Sequence, residues 1–348
     1  MTEQPNTYRR ILVTRLKFIG DVVLTTPLIR TLHETFPDAE ISYLGERNAV
    51  SLLEHNPFLT DIIPVDFSTL TLPAQVSLYA RLHSRGFDCV IDLFSNPRSA
   101  LLAFATGAAT RVGADRRGRG MLYTVRVTDD GKPKSAIDFH YQSLRAIGIE
   151  PRSFITEIYL TDGERQWAAD YCASHGIAPE QKIVVLQCGG TWPAKLWDKD
   201  RFAALGVRCS SEPGCAVVLT GGGNDREVVS YVHERVPGSI DAVGLTLRQL
   251  AALLSRASVM VSNDCGAMHI AVAVSTPTIG IFGPGEDDIW FPYTKQFYGD
   301  GAPHRALRKD VPCHPCHLDL CTRTGQGYME CMRLLSVDDV FTAVKEIV

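Results

Sequence analysis

Between Ala257 and Pro284 two short apolar runs flank a small-residue helix pattern, and this unit narrows the fold more than any other stretch of the chain. Ala257 to Ser262 centres on Val259-Met260-Val261, a triplet suited to a buried strand. It gives way to Asn263-Asp264-Cys265-Gly266, where polar groups and a glycine replace apolar side chains. Ala267 to Val274 is alanine-rich and reads as a short helix, Thr276-Pro277 ends it, and Thr278 to Phe282 is apolar again. A β-turn-α-β order of this kind puts Asp264 and His269 at the carboxyl end of a strand, the edge where open α/β sheets bind ligands. The amides of Gly266 and Ala267 open the helix and are placed to receive an anion such as phosphate.

The same alternation runs through the rest of the chain. Ile11 to Leu16, Glu40 to Leu44, Asp61 to Val65 and Cys89 to Leu93 are strand-like, with helical patterns such as Leu28 to Thr35 and Val76 to Ser84 between them. A polar stretch with Pro151 and Asp162-Gly163 marks a hinge region, followed by a helix pattern from Glu164 to His175. A second set of strands follows at Ile183 to Leu186, Ala216 to Thr220, Ala257 to Ser262 and Thr278 to Phe282. Alternating strands and helices predict parallel sheets covered by helices, an α/β chain of two Rossmann-like domains. The expected division is an N-terminal domain over 1–161, a C-terminal domain over 178–335 and a terminal helix over 336–348.

With 348 residues the chain is long enough for two domains of ordinary size. A formal net charge of −4 gives no ground for a nucleic-acid partner. The first residues, MTEQPNTYRR, lack an apolar signal core, and no run of about 18 apolar residues occurs. The expectation is a cytoplasmic protein with no transmembrane segment, peripheral attachment to the inner membrane being left open. Ten cysteines in such a chain suit free thiols or metal ligands better than disulfides.

Three segments carry a family resemblance. Asp264, Gly266 and His269 form an Asp-x-Gly-x-x-His core, trailed by Thr276-Pro277-Thr278 and Phe282-Gly283-Pro284. Arg10 to Pro27 is a strand-loop-helix opening with Gly20-Asp21 inside it. Gly189-Gly190-Thr191 precedes Lys195 and Trp197. Together these resemble glycosyltransferase family 9, the ADP-heptose:lipopolysaccharide heptosyltransferases. The resemblance implies a GT-B fold, with an acceptor-binding and a nucleotide-sugar-binding domain facing across a cleft that closes on the substrates. It also implies an inverting transfer of heptose from ADP-heptose to a lipopolysaccharide core or related surface glycan, with no cofactor required for catalysis. Cys265 departs from the pattern, since the family more often carries Ser or Thr there. A nucleotide-sugar epimerase of the same fold and a non-catalytic nucleotide-sugar-binding protein are the alternatives.

Each candidate residue has a functional and a plainer reading. Asp21 is the candidate general base, taking the acceptor hydroxyl's proton; otherwise it is an acid meeting a helix dipole. Pro27 is expected to start the main helix with Thr26 as its cap. Thr191 and Lys195 are candidates for the donor diphosphate, the lysine otherwise being solvated. Asp264 either accepts from sugar hydroxyls or caps the next helix. Cys265, Gly266 and His269 complete the donor set, although a histidine on an apolar helix is commonly a core residue. Asp225 follows Gly221-Gly222-Gly223 and either meets a ribose or is a surface turn acid. Arg116, Arg117 and Arg119 share one glycine-rich loop, suited to an anionic glycolipid acceptor or simply solvated. Cys313-x2-Cys316-x4-Cys321-x9-Cys331 has spacing that suits a structural zinc or an iron–sulfur cluster, the plainer reading being four reduced thiols.

Overall fold

The structure, a computed structural model, describes residues 7–348 apart from 116–117, 130, 133, 294–297 and 299–302. It divides into two compact units, Met1–Tyr159 and Leu160–Val348.

The first unit is a six-stranded parallel sheet in the order β3-β2-β1-β4-β5-β6. Its strands are β1 (Arg10–Thr14), β2 (Glu40–Glu46), β3 (Asp61–Val65), β4 (Cys89–Asp92), β5 (Thr110–Ala114) and β6 (Val125–Val127). Its helices are α1 (Ile19–Val23), α2 (Thr26–Thr35), α3 (Arg47–Val50), α4 (Leu72–Ser84), α5 (Pro97–Ala105) and α6 (Ala136–Arg145). Ile11, Leu12 and Val13 of the central β1 are buried in succession, as a strand covered on both faces requires. The main helix α2 begins one residue earlier than the sequence suggests. Thr25 is its N-cap position, and Thr26 is its first residue, donating its hydroxyl to the Val23 carbonyl oxygen at 2.8 Å. Pro27 still falls in the first turn, where its missing N–H costs no helix bond.

The second unit repeats the plan with the order β12-β11-β10-β7-β8-β9, again all parallel. Its strands are β7 (Lys182–Gln187), β8 (Cys215–Thr220), β9 (Ile240–Asp241), β10 (Val259–Asn263), β11 (Thr278–Ile281) and β12 (Arg305–Leu307). Its helices include α7 (Asp162–Ser174), α8 (Lys199–Ser210), α9 (Arg226–His233), α10 (Leu247–Leu254), α11 (Gly266–Ala273) and α12 (Asp287–Trp290). The Asp162-Gly163 pair opens α7, where Thr161 and Glu164 make a reciprocal capping box. Glu164 also takes a two-pronged bond from Arg248 of α10 at 2.5 and 2.6 Å, which holds its carboxyl down at about 2. The last helix, Val337–Lys345, is part of this core: Val340, Ala343 and Val344 pack in one cluster with Val184, Leu186 and Phe202. No helix among the described residues is long and apolar enough to cross a membrane.

Candidate functional site

Polar groups gather at the carboxyl edge of each sheet. In the first unit the chain leaves β1 at Arg15 and turns into the short helix α1, with Asp21 as its third residue. The Arg15 guanidinium bonds Asp21 Oδ1, and the Phe18 N–H donates to Asp21 Oδ2 at 3.2 Å. Arg15 is itself anchored, donating to the Leu93 carbonyl oxygen at 3.1 Å and lying 4.6 Å from the centre of the Phe94 ring. Both side chains of the pair are only 14% exposed. Asp21 is therefore a carboxylate in a fixed orientation. Each of its oxygens has one partner here, and a carboxylate offers about four acceptor positions, so each keeps capacity for another proton donor. The sequence reading missed Arg15, because a residue six positions away across a loop has no periodic signature.

In the second unit, the loop after β7 leads through Gly189-Gly190-Thr191 to a single 3-10 turn, Pro193–Lys195. Lys195 is not a solvated surface lysine. Its Nζ sits 2.5 Å from Asp264 Oδ2 and 4.7 Å from the centre of the Trp192 ring. Burial pushes the Asp264 carboxyl up, and the lysine opposes that shift. Asp264 is thus occupied by Lys195 instead of capping α11, whose N-cap position is Cys265 with no side-chain cap bond. Thr191 is exposed and near the same turn in sequence.

The start of α11 has the form that the sequence suggests, with Gly266 as its first helical residue. Burial raises the Cys265 thiol, while the Ser262 hydroxyl and the amides of Ala267 and Met268 pull it back down. The sulfur thus lies beside the amides that an incoming anion would use. His269 is buried, shares a 2.6 Å hydrogen bond between its Nδ1 and Tyr293 Oη, and is driven down to about 3 by burial, with Lys195 adding to the shift. It is a neutral ring at ordinary pH, so it can offer a hydrogen bond but no charge.

Two residues tie the loops of this edge together. Asn263, fully buried, accepts from the Trp197 N–H at 2.9 Å and donates to the carbonyl oxygens of Cys188 and Gly189 at 3.3 and 3.2 Å. An asparagine closing an apolar strand directly before Asp264 was the available signal for it. Asp225 accepts from the N–H of Gly222 at 2.8 Å and of Gly190 at 3.4 Å. Its carboxyl lies so close to Gly189 that a Cβ there would fall 2.0 Å away, which restricts that position to glycine. Asp225 is therefore engaged by backbone amides of two loops and is not simply a surface turn acid.

Cys313, Cys316, Cys321 and Cys331 line one cavity of about 120 Å³, with Arg323 and Met329 among the other walls. Burial raises the Cys331 thiol, and the three other sulfurs raise it further. Among the described residues, no three His, Cys, Asp or Glu side chains stand arranged to hold a metal ion. Arg116 and Arg117 lie outside the described residues, and of Arg119 only the backbone is described, as the first residue of a 3-10 turn.

Paired Rossmann-like units with their polar groups at the sheets' carboxyl edges are the layout of an enzyme that handles a nucleotide-linked substrate. The chain belongs to glycosyltransferase family 9 (heptosyltransferase), whose family model matches residues 75–313. It is 24% identical over 292 residues to lipopolysaccharide heptosyltransferase 3 of Escherichia coli, covering 80% of this chain and 85% of that one. The crystal structure of the glycosyl transferase family 9 from Veillonella parvula superposes with a TM-score of 0.84 at 24% identity, covering 100% and 99% of the two chains. The E. coli heptosyltransferase WaaC with ADP-2-deoxy-2-fluoro heptose gives 0.71 at 18% identity, covering 97% and 100%. The fold is that of the GT-B heptosyltransferases, and the protein is a glycosyltransferase.

Proposed function

We propose that this protein transfers a heptosyl group from ADP-heptose to a lipopolysaccharide core or related surface glycan, with inversion at the anomeric carbon. Family membership supports the chemistry, and the observation that carries the assignment of roles is the carboxylate of Asp21, fixed by Arg15 at the edge of the first sheet. An acceptor hydroxyl attacks the anomeric carbon from the face opposite the phosphate. Its proton passes to Asp21, and the bond to the diphosphate breaks with the electron pair leaving on ADP. Lys195, Thr191 and the amides at Gly266 hold the diphosphate, and the lysine offsets the charge that develops on it. Asp264 accepts from sugar hydroxyls once Lys195 turns to the phosphates. His269 and Cys265 complete the donor pocket, and Asp225 shapes it from the side of the β8 loop. Arg116, Arg117 and Arg119, clustered in one loop of sequence, meet the phosphates and carboxylates of a glycolipid acceptor at the inner membrane surface.

On this reading the four cysteines, which share one cavity although no three of them stand arranged to hold a metal ion, draw together on one structural metal ion when it binds. Four soft donors around one small cavity suit zinc or iron, and a cation would relieve the repulsion that thiolates so close would feel. The transfer itself uses no metal.

The deciding experiment incubates the protein with ADP-heptose, with and without purified acceptor core, and follows ADP and the donor. Release of ADP only with acceptor supports transfer. A donor converted to its epimer without acceptor would make the protein an epimerase, and tight donor binding with no turnover would make it a binding protein.

A further inference from the structure

Burial keeps the His269 ring neutral, and a neutral imidazole carries one proton on one of its two nitrogens. The nitrogen that holds it determines whether the ring can donate to a ligand or only accept from one. Tyr293, outside the donor set, is in contact with the nitrogen that settles this.

An aromatic group carries Tyr293 to the helix. After α12 the Phe291 N–H donates to the Asp287 carbonyl oxygen at 2.8 Å, and the Tyr293 N–H donates to that of Phe291 at 2.7 Å. Phe291 meets Phe282 and Tyr293 edge-on, with ring centres 5.9 and 5.1 Å apart. Gly280 of β11 leaves room for this packing, since a Cβ there would fall 2.8 Å from Met268 Sδ and 3.0 Å from the Phe291 ring. The Tyr293 ring then stands edge-on to His269 with centres 5.8 Å apart. Both residues are buried.

Tyr293 Oη lies 2.6 Å from His269 Nδ1. A nitrogen donating to oxygen usually stands about 2.9–3.0 Å away, while hydroxyl donors come closer, about 2.7–2.8 Å. The short contact therefore has the phenol as donor and Nδ1 as acceptor. His304 also packs against Tyr293, but its buried Nδ1 has no partner, so it does not take the phenol proton there. With Nδ1 accepting, the one proton of the neutral His269 ring is on Nε2. Among the described residues Nε2 has no hydrogen-bond partner, and it is not one of the enclosed unpartnered atoms, so this edge of the ring is open to a ligand. The Lys195 charge acts on the same ring.

We propose that Tyr293 is a positioning residue that fixes His269 as the Nε2–H tautomer, so that the ring donates a hydrogen bond to a diphosphate oxygen of the nucleotide-sugar donor. The opposite tautomer would turn a lone pair towards the phosphates and repel them. The inference rests on the reading of Lys195 and His269 as donor-site residues and adds the group that sets the polarity of that site.

The test is nitrogen-15 NMR of the full chain labelled at histidine, with and without ADP, the His269 signals being assigned from a His269→Ala spectrum. The expected result is a protonated Nε2 whose resonance moves when ADP is added, and a bare, hydrogen-bonded Nδ1. A proton on Nδ1, or an Nε2 signal indifferent to ADP, overturns the proposal. Calorimetry supplies the second readout. Tyr293→Phe keeps the ring and its packing and removes only Oη, and it should weaken ADP about three- to tenfold. In the His269→Ala background the same change should cost ADP affinity nothing further, because Tyr293 acts through His269. Additive losses, or parent-like ADP affinity in Tyr293→Phe, would make the tyrosine a packing residue and refute the proposal. Acceptor-dependent ADP release by a protein with its His269 proton on Nδ1 would refute this inference alone. The expected tautomer and coupling without acceptor-dependent ADP release would refute the transfer reading alone.

Discussion

The pairing of Lys195 with Asp264 makes an asymmetric prediction. The two charges are 2.5 Å apart with side chains 19% and 6% exposed, so removal of the lysine strands a buried carboxylate. Breaking a buried pair from one side costs about 3–5 kcal/mol, and the partial exposure of this one argues for about 3. For a unit the size of Leu160–Val348, each kcal/mol moves the midpoint by about 2–4 °C, so Lys195→Ala should lower the melting temperature by about 6–12 °C. Asp264→Asn should cost less, because the freed ammonium can reach water past Trp192. The two variants should also part in ADP affinity. Lys195→Ala should weaken ADP by about ten- to a hundredfold, the worth of a charge-assisted hydrogen bond. Asp264→Asn should leave ADP affinity unchanged or stronger, since the lysine no longer has to leave a carboxylate. The stability gap between Lys195→Ala and the parent should narrow as pH falls, because protonating Asp264 removes the stranded charge. Thermal melts across pH with calorimetric ADP titrations read all of this. Equal effects of the two variants on stability, with ADP affinity untouched in both, would make the pair a structural contact and refute the reasoning.

Other outcomes follow from the same geometry. Asn263→Ala removes three buried hydrogen bonds and should cost about 2–4 kcal/mol while weakening ADP binding, read by denaturant unfolding and calorimetry. His140 and His269, both held down to about 3 by burial, and His304, held down to about 4, must stay neutral in the fold. Their folded values lie below the unfolded value, so their contribution is fully present above pH 6.5 and is lost as pH falls from there towards 4 and 3. At pH 5 each should cost about 2 kcal/mol, so unfolding midpoints should drop steeply between pH 6 and about 4.5, and a flat profile would contradict this. Elemental analysis should find one metal per chain, and Cys316→Ser or a chelator should lower thermal stability before donor binding. Metal-free protein with unchanged stability would leave the cysteines as small packing groups.

Much of this was legible in the chain because parallel strands buried on both faces are apolar runs and their helices are periodic. β3 begins and ends where the pattern does. The edge strands β6, β9 and β12 are three, two and three residues long, too short for any run to register. Site residues were visible as types at strand ends, while their partners were not. Lys195 and Asp264 stood out separately as ligand contacts, and only the fold shows that each is first a partner to the other. Arg15 and Asn263 act through contacts made across loops, which sequence spacing does not encode.

The central claim is that Asp21, oriented by Arg15, takes the acceptor's proton. The most direct measurement compares Asp21→Asn with the parent for acceptor-dependent ADP release at saturating ADP-heptose, alongside donor affinity by calorimetry. The account predicts a turnover loss of about 10²–10⁴-fold with donor affinity nearly unchanged, the mark of a missing general base. Turnover within a few fold of the parent would contradict it, and the base would have to be sought elsewhere.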